Sequence, residues 1–279
     1  MPNILYPPPR PQSVGEILDS AFRIFRATLL GCLPYATIAV IAGQLPNIYY
    51  LATGRSVLHT MLTQNRDPIW WLLYALGILM VIVLSSAILL RQYAIATGRL
   101  PSTGAELSTP LRRILGIVAM CFLSGWATCV WFLPAAAFHG PAQLMVLLIA
   151  LVPASCVALA LSSALAVFLL TGKGPLASMI DSARLTWGSW WRLTLIYTVA
   201  LILLVVLDLL STVIAGVISL LFAHGDIAVI TATTTVVVLL MSAIGTPFFC
   251  AMMLAVFGDL TARREGADLA QRLSAPATP

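Results

Sequence analysis

Residues 70–90 read WWLLYALGILMVIVLSSAILL, an uncharged run that ends where Arg91 begins. The hydrocarbon core of a bilayer is ~30 Å thick, and an α-helix needs about 20 apolar residues to cross it. The run has that length. Outward from it, five more segments have the same character, at 29–51, 114–133, 144–170, 193–222 and 227–257, and none holds a Lys or Arg. The 279-residue chain is 60% hydrophobic and 9% charged, with a mean hydropathy of +0.99. Soluble domains carry about 25% charge, so bilayer is the solvent this composition suits. The expected fold is an all-α polytopic membrane protein with six transmembrane helices. It divides into a Pro-rich tail at 1–12, a membrane domain at 13–258 and a cytoplasmic tail at 259–279.

The charges lie between the spans and set an expected orientation. Of 15 Lys and Arg residues, only Arg55 and Arg66 fall in one set of gaps, while the other set holds all the rest. The positive-inside rule makes the richer side cytoplasmic and places both termini there. Tyr49, Tyr50, Trp70, Trp71 and Trp131 then mark the outer interface, and Tyr93, Trp187, Trp190 and Trp191 the inner one. His59, His139 and His224 fall outside. No basic region followed by an apolar core opens the chain, so a cleavable signal peptide is not expected. The net charge of +5 is scattered rather than massed, which argues against nucleic acid as a partner.

Three related segments precede the spans on that side: SVGEILDSAFRIFR from Ser13, STGAELSTPLRRIL from Ser102 and GPLASMIDSARLTW from Gly174. Ser13 and Glu16 have capping-box spacing, which predicts a helix start. At 100° per residue Glu16, Asp19, Arg23 and Arg26 share one face, opposite Ile17, Leu18, Phe22, Ile24 and Phe25. Such helices are expected to lie in the membrane plane, with Asp19 and Arg23 forming an i,i+4 pair and Asp181 and Arg184 repeating the acid and base. One in-plane helix plus two spans, three times over, predicts a threefold internal repeat around the membrane normal. A unit with an even number of spans repeats in one orientation, which disfavours an inverted-repeat transporter.

Asp208 is the one ionisable side chain deep in a span. Its burial is costly, so it should find a partner, with Ser211, Thr212 and the run from Thr231 to Thr235 as the nearest hydroxyls. A proton or cation site is the functional alternative. Asp259 after Gly258 brings intramembrane aspartyl proteases to mind, but Val256 breaks their GxGD pattern and Asp208 lies far from it along the helix axis. No GxSxG, HExxH or GxxxxGK sequence occurs. Cys32, Cys121, Cys129, Cys156 and Cys250 have neither CxxC spacing nor a neighbouring His, so they are expected to be buried packing residues without metal or disulfide. Ala150, Ala154, Ala158, Ser162 and Ala166 form a small-residue stripe expected to be an internal seam. Pro34, Pro46, Pro153 and Pro247 are expected to kink spans.

After the sixth span the chain reads FGDLTARREGADLAQRL from Phe257. With the segments from Ser13 and around Asp181, this resembles the glycerophosphoryl diester phosphodiesterase membrane-domain family and related bacterial six-helix membrane proteins. The likeness is carried at the tail by Asp259, Leu260, Arg263, Glu265, Gly266, Asp268 and Leu269. It implies six helices in a bacterial inner membrane and a cytoplasmic face rich in acid and base pairs. No catalytic domain is present in the sequence, so the resemblance carries no activity over. The richest polar feature is the set Glu16, Asp19, Arg23, Arg26, Asp181, Arg184, Arg192, Asp259, Arg263, Arg264, Glu265 and Asp268, expected to meet at the inner face. The functional expectation is a non-enzymatic scaffold, assembly or lipid-organising accessory. Its partners would be membrane lipids, anionic headgroups among them, or a protein at the cytoplasmic face. The alternative is a transporter or channel with a polar path around Asp208. No cofactor or metal is expected.

Overall fold

The structure is a computed structural model that describes residues 5–8, 10–53, 67–222 and 227–274, with backbone alone at 220–222, 227–232, 265 and 267–274. Among the described residues all regular secondary structure is helical. In chain order the helices are α1 (Val14–Gly43), α2 (Leu45–Ala52), α3 (Pro68–Ala96), α4 (Thr103–Arg112), α5 (Ile114–Cys129), α6 (Pro141–Leu161), α7 (Ala164–Thr171), α8 (Pro175–Thr186), α9 (Trp190–Phe222) and α10 (Ile227–Ser274). A 3-10 segment, Val130–Ala137, extends α5. Six stretches among the described residues are long and apolar enough to cross a membrane: Val14–Gly43, Pro68–Ala96, Ile114–Ala137, Pro141–Thr171, Trp190–Ser219 and Thr233–Arg264. The chain is a multi-pass membrane protein.

The first span departs from the window at 29–51. The capping box forms as expected, with Ser13 Oγ accepting from the Glu16 amide and the Glu16 carboxylate from the Ser13 amide. From there α1 continues into the bilayer without a break, so its first amphipathic segment is not a separate in-plane helix. Nothing at 26–29 interrupts it. Ile17, Ala21, Ile24, Thr28 and Cys32 are buried at successive three- and four-residue steps, one packed line that runs from the cap into the span. The helix ends at Gly43 instead of continuing to 51, because Pro46 has no N–H and its ring crowds the carbonyl of residue 42. The second and third amphipathic segments do form separate short helices, α4 and α8.

The centre of the bundle is the antiparallel pair α1 and α10, with α3 beside them. Ile17 and Ala21 share a core with Ala255, Val256 and Leu260 of α10, while Cys32, Tyr35, Ala36 and Ala39 meet Ala243 and Cys250 further down. Phe25 sets its ring edge-on to Phe248, centroids 5.6 Å apart. In α10 every residue from Cys250 to Leu260 is buried. A helix apolar on all sides is covered on all sides, and here protein rather than lipid covers it. The contrast with α9 is sharp: 39% of the most apolar window of α10 lies inside the protein, against 6% of that in α9.

Smaller expectations divide. In the stripe on α6, Ala150 and Ala154 are buried, but Ala158 is exposed, and the helix breaks at Ser162 before Ala166 becomes buried on α7. The phase shift at the break ends the seam. Cys32 and Cys250 are packing residues, whereas Cys121 and Cys129 lie on the exposed outer surface of α5. Pro34, Pro153 and Pro247 lie inside helices, and Pro46 opens α2.

Where α3 crosses α1, Gly77 permits contact between backbones: a Cβ there would lie 2.6 Å from the Ala42 carbonyl oxygen. Backbone cannot move aside as a side chain can. Gly77→Ala is therefore expected to destabilise the protein by about 1–3 kcal/mol, measured by thermal unfolding in detergent. Gly245→Ala, whose Cβ would meet Leu204 at 3.7 Å, is the control expected to be near neutral.

Candidate functional site

The polar chemistry gathers at the end of the bundle that carries both termini, and Asp259 is its centre. This carboxylate is 2% exposed, near the end of the buried run of α10. Arg263 lies four residues on, with Nε 2.9 Å from Oδ2. Arg192, at the start of α9, places Nη1 3.1 Å from the same oxygen. The other oxygen accepts the Gln12 amide at 2.6 Å. The Gln12 carbonyl in turn accepts from Arg263 Nη2 at 2.8 Å and from Arg192. One buried acid and two arginines thus grip both polar groups of a single peptide residue.

That grip bears on the Pro-rich stretch at 1–12, of which residues 1–4 and 9 lie outside the described residues. Residues 5–8 and 10–12 form a strap laid across the bundle. The Leu5 and Tyr6 amides both donate to the Ala96 carbonyl, at 2.9 and 3.1 Å, satisfying the open C-terminal end of α3. The Tyr6 ring stands edge-on to Tyr93 at 5.4 Å and lies against Gly258, where a Cβ would come within 2.6 Å of Tyr6 Cε2 and 3.0 Å of Pro8 Cδ. Glycine before Asp259 is therefore the seat of the strap.

A second buried cluster escaped sequence reasoning. Glu106 of α4 is 4% exposed, accepts from the Tyr35 hydroxyl at 3.1 Å and lies 3.6 Å from Arg91 Nη1. The Arg91 guanidinium sits 5.3 Å from the Tyr35 ring centroid. Glu106 Oε1 and Arg91 Nε have no hydrogen-bond partner. The available signal was Arg91 at the very end of an uncharged run, which invited a search for an acid, with Glu106 the acid of the following loop.

The remaining members of the expected set disperse. Glu16 pairs with Arg10 at 2.9 Å. Asp19 and Arg23 are exposed and make no ion pair, so the expected i,i+4 contact is not formed. Asp181 takes its hydrogen bond from Lys173 rather than from Arg184. That bond holds the Asp181 carboxyl below its ordinary value, with the Lys173, Arg184 and Arg264 charges adding to it. A depressed carboxylate stabilises the folded state above its ordinary titration range and ceases to do so as the pH falls through the lowered pKa. Arg113 donates to the Phe168 carbonyl at 3.3 Å, capping α7 near Gly172. Arg23, Arg26, Arg112, Arg184 and Arg264 are exposed, with no ion pair among the described residues. The side chains of Glu265 and Asp268 lie outside the described residues, as do Arg55, His59, Arg66, His224 and Thr231.

Among the described residues Asp208 has no hydrogen-bond or ion-pair partner. It is exposed in an open groove between α9 and α10 lined by Leu204, Val205, Val238, Met241, Ser242 and Gly245. Ser211 donates to the Leu207 carbonyl at 2.7 Å and Ser242 to that of Val238 at 2.9 Å, so these hydroxyls serve their own helices. Thr212 makes no bond to it.

No protein-family model, curated protein or solved structure matches the chain.

Asp259→Asn leaves two arginines facing a neutral amide. It is expected to cost about 3 kcal/mol and to remove hydrogen-exchange protection from residues 5–12. For the second cluster, Glu106→Leu alone should destabilise by about 3 kcal/mol, and adding Arg91→Met should restore most of it, since the unpaired buried charge is what costs. Thermal unfolding of the single and double variants measures the difference.

Proposed function

We propose that the chain is a non-enzymatic protein of a bacterial inner membrane, with both termini cytoplasmic, that serves as a scaffold, assembly or lipid-organising accessory through its termini-bearing end. One observation carries the reading. At that end Asp259, Glu106, Asp181 and Glu16 are each taken up by cations of this chain, while among the described residues Arg23, Arg26, Arg112, Arg184 and Arg264 stay exposed and without an ion pair, as does the acid Asp19. Cations left over at the level of an anionic leaflet each gain about 1 kcal/mol from it. The skew of Lys and Arg between the loops supports the cytoplasmic assignment.

The threefold repeat belongs to the same proposal. Each unit would be an amphipathic lead followed by two spans, with α4 and α8 as in-plane helices and the first lead fused into α1. Trp187 and Trp191, 89% and 84% exposed beside α8, suit an interfacial position. The resemblance to the phosphodiesterase membrane-domain family agrees with this arrangement, and Asp259, Leu260 and Arg263 of its tail pattern lie where the strap docks. A path for solute around Asp208 is the weaker reading, because the groove there is open sideways and mostly apolar.

Native mass spectrometry of the protein released from its own membranes tests the proposal. Reproducible retention of anionic lipid or of a protein partner is expected. Repeated recovery of the bare monomer, or a solute flux in proteoliposomes that Asp208→Asn abolishes, would overturn it.

A further inference from the structure

Between the strap and the first turns of α1 lies a polar pocket of about 270 Å³, lined by Leu5, Pro7, Pro8, Arg10, Gln12, Glu16, Ser20 and Arg23. Three of its groups have unused hydrogen-bonding capacity. The Arg23 guanidinium has no ion pair or hydrogen bond among the described residues. Ser20, one turn before it on the same face of α1, accepts from Gln12 Nε2 at 2.9 Å, which leaves its own O–H to donate. Gln12 Oε1 is buried and has no partner. Glu16 is already engaged, paired with Arg10 and accepting from the Ser13 amide. The site therefore presents a free cation and a hydroxyl donor beside a buried acceptor that lacks a donor.

We propose that this pocket binds a phosphate group that carries a further O–H or N–H donor. The phosphate oxygens take the Arg23 guanidinium and the Ser20 hydroxyl, and the added donor fills Gln12 Oε1. Charge-assisted bonds of arginine to phosphate are among the strong ones. A buried unsatisfied carbonyl costs about 1–3 kcal/mol, which a ligand donor would recover. The size suits a headgroup, since pockets for whole drug-sized ligands begin at about 300 Å³. The wall that carries Gln12 is rigid, because Asp259, Arg192 and Arg263 hold both its backbone groups and Pro11 directly precedes it.

Depth favours a lipid as the source. On the proposed orientation Leu30, 86% exposed, would lie at the level where α1 enters hydrocarbon. Arg23 lies seven residues up the helix, about 10 Å at 1.5 Å per residue. The headgroup layer is roughly 5–8 Å per leaflet, so Arg23, whose side chain leans toward the helix N-terminus, stands at the outer edge of that layer, against the headgroups. A soluble phosphate compound shares the chemistry and would enter from the cytoplasmic side. The inference rests on the orientation proposed above.

The test uses the full chain in nanodiscs and native mass spectrometry. Phosphatidylglycerol and phosphatidylethanolamine carry O–H or N–H donors, and phosphatidylcholine carries none. One tightly retained molecule of either donor lipid, in preference to phosphatidylcholine, is expected. Arg23→Gln should weaken that retention about tenfold, while Arg184→Gln, an exposed unpaired cation elsewhere, should not. A melting temperature raised by millimolar inorganic phosphate in wild type but not in Arg23→Gln would confirm the site with a soluble source. With no effect of phosphate on the melting temperature, equal retention in wild type and Arg23→Gln, or no preference over phosphatidylcholine, overturns the pocket. Loss shared equally by Arg23→Gln and Arg184→Gln also overturns it, yet leaves the wider proposal of a lipid-binding face standing. Only absence of lipid and partner alike removes both.

Discussion

The Asp259 carboxylate is the constraint around which the termini-bearing end is organised. An ion so buried is stable only if its charge is matched and its lone pairs are engaged. Here the matching groups come from three parts of the chain: Arg263 from its own helix, Arg192 from the start of α9 and the Gln12 amide from the strap. Each contact ties a distant segment to the same point. The strap lies where it does because both polar groups of one peptide residue are held there, and Gly258 leaves room for Tyr6 beside it.

The same end explains why α10 is so long and so apolar. Hydropathy reads a run such as CAMMLAVF as lipid-facing, because lipid and protein core are equally apolar. In the fold this part of α10 is the central pillar, enclosed by α1, α9, the strap and the α3 side of the bundle. The opposite half is looser. α9 keeps Leu201, Leu209 and Val213 on the outside, which is what a lipid-contacting helix does. A densely packed polar-capped end and a lipid-bathed end follow from one chain whose spans all look alike in composition.

Cluster by cluster, legibility followed locality. The capping box at Ser13 and Glu16 was readable because both partners lie within one turn. The Asp259 and Arg263 pair was readable as an i,i+4 spacing. Arg192 could be assigned to the same face, but not to the same oxygen. The strap was not readable, since a proline-rich stretch with no periodicity looks like a tail until the Ala96 carbonyl and Gly258 are placed beside it. Glu106 and Arg91 were separately visible and jointly hidden, because α4 had first to dip beside Tyr35.

By itself the sequence determined the solvent, the number of spans, the helix start at Ser13 and the end that collects the charge. These depend on composition and on contacts within a few residues, where chain geometry leaves little freedom. Tertiary structure alone decided which apolar faces meet protein and which meet lipid, that α1 runs unbroken from the cap and stops at Gly43, and which acid each arginine serves. Those outcomes turn on desolvation and close approach between residues as far apart as Gln12 and Asp259. Such encounters leave no periodicity in the chain that makes them.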